Sequence, residues 1–293
     1  MQNFPVIIIG AGPAGLTTAL QLKRFGIPAL LFEGGRVGGL LHNANLVENY
    51  PGFPRGISGP ALVKLFEKQV QHIDVEIILE EVFSLDHNNG IFEAATGQNK
   101  YQAQIAVVAS GTKPRSFPEE FIPAETRSRV FYEVFPLLNV KDKHIVIVGA
   151  GDAAFDYALN LSRENRITIL NRGTQVKALG LLQERARENG NIVYREERQV
   201  KRVTLSGGDR LTVEASHRDD VEIMEANFLL GALGRVPRLD FLSSRLEEKE
   251  SELKERGILH YVGDVKNGLF RQTAIAAGDG LRAAMMIDQT LKK

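Results

Sequence analysis

The chain has 293 residues, 36 Lys and Arg against 36 Asp and Glu, and no cysteine. Its length suffices for two domains, and its balanced charge offers no field to draw nucleic acid or an anionic membrane. Without cysteine there is no disulfide, no thiolate nucleophile and no Cys-held zinc or iron–sulfur centre, and the six histidines lack short ligand spacing, so no metal site is expected.

The chain begins with an apolar β-branched run, Val6-Ile7-Ile8-Ile9, that enters Gly10-Ala11-Gly12-Pro13-Ala14-Gly15. This is strand, then G-x-G-x-x-G, then a helix expected over 16–25. The first glycine permits a tight turn, the second lets a pyrophosphate approach the backbone, and the third lets helix and strand pack closely. A second strand over 29–32 ends at Glu33. That carboxylate falls roughly 20 residues beyond the glycines, where it can accept hydrogen bonds from a ribose 2′-hydroxyl. A turn signal at His87-Asn88-Asn89-Gly90 marks a hairpin. The apolar strand 105–108 closes the unit at Ala109-Ser110-Gly111-Thr112, and the two prolines of 113–118 read as an irregular linker.

The fingerprint then recurs. Ile145-Val146-Ile147-Val148 enters Gly149-Ala150-Gly151-Asp152-Ala153-Ala154, and the following strand 167–170 ends at Asn171-Arg172, with Lys177 beyond. No acid stands at this second ribose position and a cation does. A 2′-phosphate is repelled by a carboxylate and attracted by Arg172 or Lys177, so this site favours NADPH, with NADH the alternative and solvated surface charge the plain reading of both cations. A second hairpin signal lies at 206–209. The unit closes with an apolar strand over 227–234 and a Pro-containing link over 235–238. The charge-rich run 246–256 reads as a solvated helix or loop, and a final helix is expected over 281–291. Two dinucleotide fingerprints in one chain point to electron transfer between two dinucleotides. No apolar run has the length of a membrane span, and no basic and apolar leader opens the chain, so a cytoplasmic location is expected.

The chain resembles the low-molecular-weight thioredoxin reductase family of flavoproteins over nearly its whole length. The resemblance rests on both fingerprints, on Gly38-Gly39, on Val47-Glu48-Asn49-Tyr50-Pro51-Gly52-Phe53-Pro54 and on Ala109-Ser110-Gly111-Thr112. It rests most specifically on Gly263-Asp264-Val265, Phe270-Arg271-Gln272-Thr273 and Ala276-Ala277-Gly278-Asp279-Gly280. It implies an α/β fold of two Rossmann-like dinucleotide-binding domains in three β/β/α layers, the second inserted into the first. The FAD-binding domain would comprise 1–114 and 239–293, and the NAD(P)H-binding domain 115–238. The resemblance assigns FAD to Gly10, Gly12, Pro13, Ala14, Gly15, Glu33, Gly39, Leu40, Asn49, Val82, Gly111, Asp264, Arg271, Gln272 and Thr273. Asp264 would hydrogen-bond the ribityl chain, and Arg271-Gln272-Thr273 would open a helix facing the pyrimidine end of the isoalloxazine. Helix N-terminal N–H groups there would stabilise the negative charge of reduced flavin. NADPH falls to Gly149, Gly151, Asp152, Ala153, Ala154, Arg172 and Lys177. A homodimer is also implied.

The chain departs from that family where its members carry a C-x-x-C dithiol. Those positions fall here on Tyr132-Glu133-Val134-Phe135, which cannot exchange disulfides. The dithiol-free relatives are thioredoxin-reductase-like ferredoxin–NADP reductases, which makes ferredoxin or flavodoxin an expected partner and a small quinone-like molecule the other. The last helix is expected to stop at Lys292-Lys293, without the C-terminal cover usual in those relatives. Chemistry by the cofactor requires no side-chain acid or base, so no catalytic residue is assigned. Tyr132 or Phe135 would either screen the flavin or serve as core aromatics of the inserted domain. Two other readings stay open: a flavoprotein reduced by a protein donor without nicotinamide, and a non-catalytic dinucleotide-binding sensor or scaffold.

Overall fold

The computed structural model describes residues 2–207, 210–218 and 220–292. In chain order, β1 (Gln2–Ile9) leads into α1 (Pro13–Arg24), followed by β2 (Ala29–Phe32), α2 (Gly59–His72), β3 (Ile77–Ile78), β4 (Val82–Asn88), β5 (Ile91–Thr96), β6 (Lys100–Val108) and β7 (Thr112–Pro114). Next come β8 (Val130–Phe131), β9 (His144–Val148), α3 (Asp152–Leu161), β10 (Arg166–Leu170), α4 (Gly180–Glu188) and β11 (Ile192–Arg195). The strands β12 (Gln199–Ser206), β13 (Arg210–His217), β14 (Asp220–Ala226), β15 (Phe228–Gly231) and β16 (Arg235–Pro237) follow, then α5 (Ser244–Glu255), β17 (Leu259–Tyr261) and α6 (Thr273–Leu291).

The contacts divide the chain into two compact units: residues 1–42, 47–113 and 236–293, and residues 43–46 with 114–235. The first contains a seven-stranded sheet. Strands β2, β1, β6 and β17 run parallel, and the second half of β6 pairs with β17 while its first half pairs antiparallel with β5 of the β4–β5 hairpin. Val6 to Ile9 are all buried, as a parallel strand covered on both faces requires. One core lies between this sheet and α1, α2 and α6; the other lies on the opposite face, under α5 and the hairpin. The hairpin turn falls on Asn89 and Gly90, both at positive φ (50° and 82°), the signature of a two-residue turn whose twist suits its strands.

The second unit carries a five-stranded parallel sheet in the order β11-β10-β9-β15-β8 and a three-stranded antiparallel sheet β12-β13-β14. Its cores lie between β9, β10 and α3 on one face and the antiparallel sheet on the other. The expected turn over 206–209 lies partly outside the described residues.

Several expectations are corrected. The first helix begins at Pro13, not at 16, because proline suits a first helical turn whose N–H groups lack partners anyway. The final helix runs unbroken from Thr273 to Leu291, so the helix expected to open at Arg271-Gln272-Thr273 and the one expected over 281–291 are a single element. Its small residues allow close packing: the hydroxyl of Thr18 on α1 donates to the Gly280 carbonyl (3.2 Å), and a Cβ at Gly280 would collide with the Ala14 carbonyl oxygen. The Pro-containing links are irregular only in part: β7 and β16 pair with each other as short strands that end at Pro114 and Pro237, where no further ladder N–H is needed, and 115–118 has no regular structure. The charge-rich run is helix α5, and it is anchored: Leu246 and Leu253, seven residues apart on one face, are fully buried.

Candidate functional site

In the first unit the sequence-assigned residues converge on the end of β1. Gly10 has φ of 105°, and a Cβ there would strike the Ala109 carbonyl. A Cβ at Gly15 would strike the Gly10 carbonyl, so the turn can close on the helix only with hydrogen at both positions. Gly12 differs: nothing lies within 4 Å of where its Cβ would stand. The backbone there faces open space at the N-terminus of α1, the cradle a diphosphate would fill. Gly39, at φ of 53°, borders the same hollow, its Cβ position 3.6 Å from the Gly12 Cα. The Gly38 N–H donates to the Ala11 carbonyl (2.7 Å), which ties this loop, and with it Leu40, to the fingerprint.

Glu33 is half-buried at the end of β2 and is held by the backbone around it. One carboxylate oxygen accepts from the Ala11 N–H and the other from the Gly35 N–H, each at 2.8 Å. Each oxygen keeps a further lone pair for a hydroxyl. Gly263, at φ of 75°, sets the turn before Asp264 directly on the fingerprint: its Cβ position is 2.9 Å from the Ala14 Cβ. Gln272 caps α6, and its Oε1 accepts from the Asn49 amide (2.9 Å), joining two of the assigned residues, while Arg271 and Thr273 flank it. Gly111, at φ of 65°, has open space at its Cβ position. Val82 is buried in the core, so only its backbone can face a ligand.

The second unit repeats the device with different chemistry. A Cβ at Gly149, where φ is 143°, would strike the Ala232 carbonyl, and nothing lies within 4 Å of the Cβ position of Gly151. Ala154 is fully buried in the place of the third glycine. Asp152 and Ala153 open α3, and the Asp152 carboxylate accepts from the Leu179 N–H (2.8 Å). The N–H groups of Lys177 and Ala178 both donate to the Ala150 carbonyl (2.8 and 3.1 Å), bringing Lys177 onto the fingerprint loop.

Where Glu33 stands in the first unit, Asn171 stands in the second. Its amide nitrogen donates to the Gln175 carbonyl and the Tyr194 hydroxyl, and its oxygen accepts from the Gly173 N–H. It therefore builds the turn that presents exposed Arg172. Sequence reasoning missed the neighbouring cations. Arg195, in register with Leu170, and Arg198, whose N–H donates to the Asn171 carbonyl, both pair with Glu222. The signal was available in β11 ending on Arg195 beside β10, but the Glu222 partner comes from a distant strand.

The Tyr132–Phe135 segment holds no redox chemistry. The Tyr132 hydroxyl accepts from the Phe117 N–H (3.2 Å), and its ring lies 5.7 Å from that of Phe117, the contacts of an aromatic packed within its own unit. Glu133 pairs with Arg235 (2.7 Å) and accepts from the Asn43 amide, whose oxygen accepts the Phe135 N–H (3.1 Å). Val134 is fully buried. On α3, burial and the Glu133 charge push the Tyr157 phenol well above its ordinary value. Among the described residues no cluster of His, Asp and Glu could hold a metal ion, and no helix is long and apolar enough to cross a membrane.

Residues 4–267 match the Pyridine nucleotide-disulphide oxidoreductase family. Among similar curated proteins, the thioredoxin reductase of Streptomyces clavuligerus is 31% identical over 98% of this chain and 93% of its own, and that of Mycolicibacterium smegmatis is 29% identical over 98% and 96%. Among solved structures, thioredoxin reductase from T. acidophilum superimposes with a TM-score of 0.86 at 25% identity over the whole of both chains. Bacillithiol disulfide reductase from Staphylococcus aureus shares the fold, with a TM-score of 0.76 at 19% identity over 99% and 98% of the two chains.

Proposed function

The chain belongs to the pyridine nucleotide-disulphide oxidoreductase family, and on that premise we propose that its electrons leave for an acceptor outside the chain, not for a dithiol of its own. It is a thioredoxin reductase-like flavoprotein of two Rossmann-like domains whose cofactors are FAD and NADPH. The observation that carries the proposal is the absence of cysteine from the chain together with Glu133, in the segment Tyr132–Phe135, neutralised by Arg235. The relatives' name gives thioredoxin as their substrate, and a chain without thiols has no relay to such a protein.

In this reading FAD belongs to the first unit. Gly12 and Gly39 leave its diphosphate room at the α1 N-terminus, Glu33 takes the ribose, Asp264 the ribityl chain, and the first N–H groups of α6 the pyrimidine end. NADPH belongs to the second unit, with Gly149 and Gly151 under the diphosphate and Arg172 and Lys177 on the 2′-phosphate. Bound flavin supplies hydride acceptance from nicotinamide and onward release of electrons. The protein's part is to bind, orient and exclude water, with no proton-transfer residue required. A ferredoxin- or flavodoxin-type carrier is the first acceptor in this proposal. The even spread of Lys and Arg, with no dense basic run to dock an acidic carrier, favours a small quinone-like acceptor as the second. A cytoplasmic homodimer is part of the same proposal.

The test is NADPH-driven reduction of ferredoxin, flavodoxin and a soluble quinone at low and high salt. A ferredoxin rate that falls steeply with salt supports a docked carrier. Reduction of the quinone alone, insensitive to salt, removes the carrier and leaves the small acceptor. Reduction of neither overturns both.

A further inference from the structure

We propose that Asp279 is a positioning residue for the flavin, acting through the turn that carries Asp264; this rests on the reading that FAD occupies the first unit. Asp279 stands on α6, and three donors of one turn converge on its carboxylate. Its Oδ2 accepts from the Gly263 N–H (3.1 Å) and from the Asn267 side-chain amide (2.6 Å), while Oδ1 pairs with Lys266 Nζ (3.0 Å). Residues 263, 266 and 267 thus all tie to one side chain, and Asp264 lies within the loop they close. The carboxylate side chain is 16% exposed, against 41% for its lysine partner, so the anchor sits mostly out of water, where a charged acceptor is worth more than at the surface.

The position of that anchor is itself fixed. Gly280, the next residue, packs against the Ala14 carbonyl so closely that a Cβ would not fit. Thr18 donates to both the Ala14 and the Gly280 carbonyls, at 2.8 and 3.2 Å. Helix α6 is therefore pinned to the helix that begins at the diphosphate cradle. One residue along, it holds the turn bearing Asp264, and the Gly263 Cβ position lies 2.9 Å from Ala14. A single strut sets the spacing between the groups assigned to the diphosphate and to the ribityl chain. Affinity for a ligand gripped at both points depends on that spacing, because a preformed site avoids the cost of ordering it on binding.

All three partners of Asp279 are donors, so the site demands an acceptor-only group. Asp279→Asn keeps size and shape but turns a donor towards Asn267 or Lys266. The experiment titrates flavin-free protein with FAD, reading flavin fluorescence and the visible spectrum, and records melting with and without FAD.

Asp279→Asn is expected to weaken FAD binding about tenfold, the size of effect for one charge-assisted hydrogen bond. It should alter the fine structure of the flavin band and lower the melting point of the loaded protein more than that of the flavin-free one. Unchanged affinity in Asp279→Asn, or an equal drop in melting point with and without FAD, would overturn the positioning role. Asp264→Ala separates this from the reading beneath it. If that change leaves FAD binding intact, Asp264 does not meet the flavin and the underlying assignment fails. If it weakens binding while Asp279→Asn does not, only the positioning role fails.

Discussion

The two dinucleotide fingerprints of this chain share a backbone and differ in what surrounds it. Both place a glycine with positive φ against a neighbouring strand carbonyl, and both leave the second glycine facing open space. At the first, the strand after the helix ends in Glu33, a carboxylate held by two backbone N–H groups. At the second it ends in Asn171, a neutral amide that folds its own turn and presents Arg172. In the proposed reading the backbone holds a diphosphate, and the residue after the next strand decides which ribose is accepted. The comparison also shows where packing is tightest, since the third position is Gly15 in one copy and buried Ala154 in the other.

The largest effect should come from that third position. Gly15→Val would drive a side chain into the Gly10 carbonyl, costing about 3 kcal/mol or more and leaving little flavin-loaded protein. Ala154→Gly should cost less, about 2 kcal/mol from the helix-propensity difference and the loss of one buried methyl. Chemical denaturation of both variants checks this contrast, and equal losses would break it.

Next in size is the pair Gly12→Ala and Gly151→Ala. Each adds a methyl group where the folded chain has nothing within 4 Å, so both flavin-free proteins should melt as the parent does. Gly12→Ala should sharply reduce FAD retention. Gly151→Ala should retain FAD and raise the KM for NADPH. The reverse pattern would exchange the two sites. Arg172→Ala sharpens the comparison further: it should raise the KM for NADPH about tenfold, the weight of one charge-assisted contact, and leave that for NADH nearly unchanged.

Both fingerprints, Glu33 and the missing dithiol were legible in the sequence because each is a local pattern of a few neighbouring residues. The turn built by Asn171 was not, because its partners Gln175 and Tyr194 are brought to it by folding. The same holds for Glu133, whose Arg235 partner lies 102 residues away, and for Asp279, whose three donors precede it across a loop. Amphipathic anchoring of α5 through Leu246 and Leu253 was hidden by the charges between them. The pairing of the two Pro-containing links could not be read from either link alone.

The smallest effect concerns acid. His87 on β4 is buried, packs against Phe92 with the rings tilted by 56° and their centroids 4.7 Å apart, and neither of its ring nitrogens has a hydrogen-bond partner among the described residues. Burial, reinforced by Lys249 and Arg256 and opposed by Glu252 and Asp86, holds its pKa below the ordinary 6.5. Burial lowers those of His144 and His260 as well. The unfolded chain therefore binds more protons than the folded one as pH falls below 6.5, and stability declines there. His87→Leu should lessen the drop in melting temperature between neutral and mildly acidic pH. An unchanged drop would mean that His87 titrates as freely in the folded state as in the unfolded chain.

The most direct measurement is an anaerobic absorbance titration of the purified protein with NADPH and then with NADH, followed by addition of an aromatic disulfide. A yellow protein whose visible band bleaches with NADPH in preference to NADH, and which reduces the disulfide at no appreciable rate, is the expected result. A colourless protein, or a yellow one that NADPH leaves unbleached, would contradict electron transfer between two bound dinucleotides. Rapid turnover of the disulfide would contradict an acceptor reached without thiols.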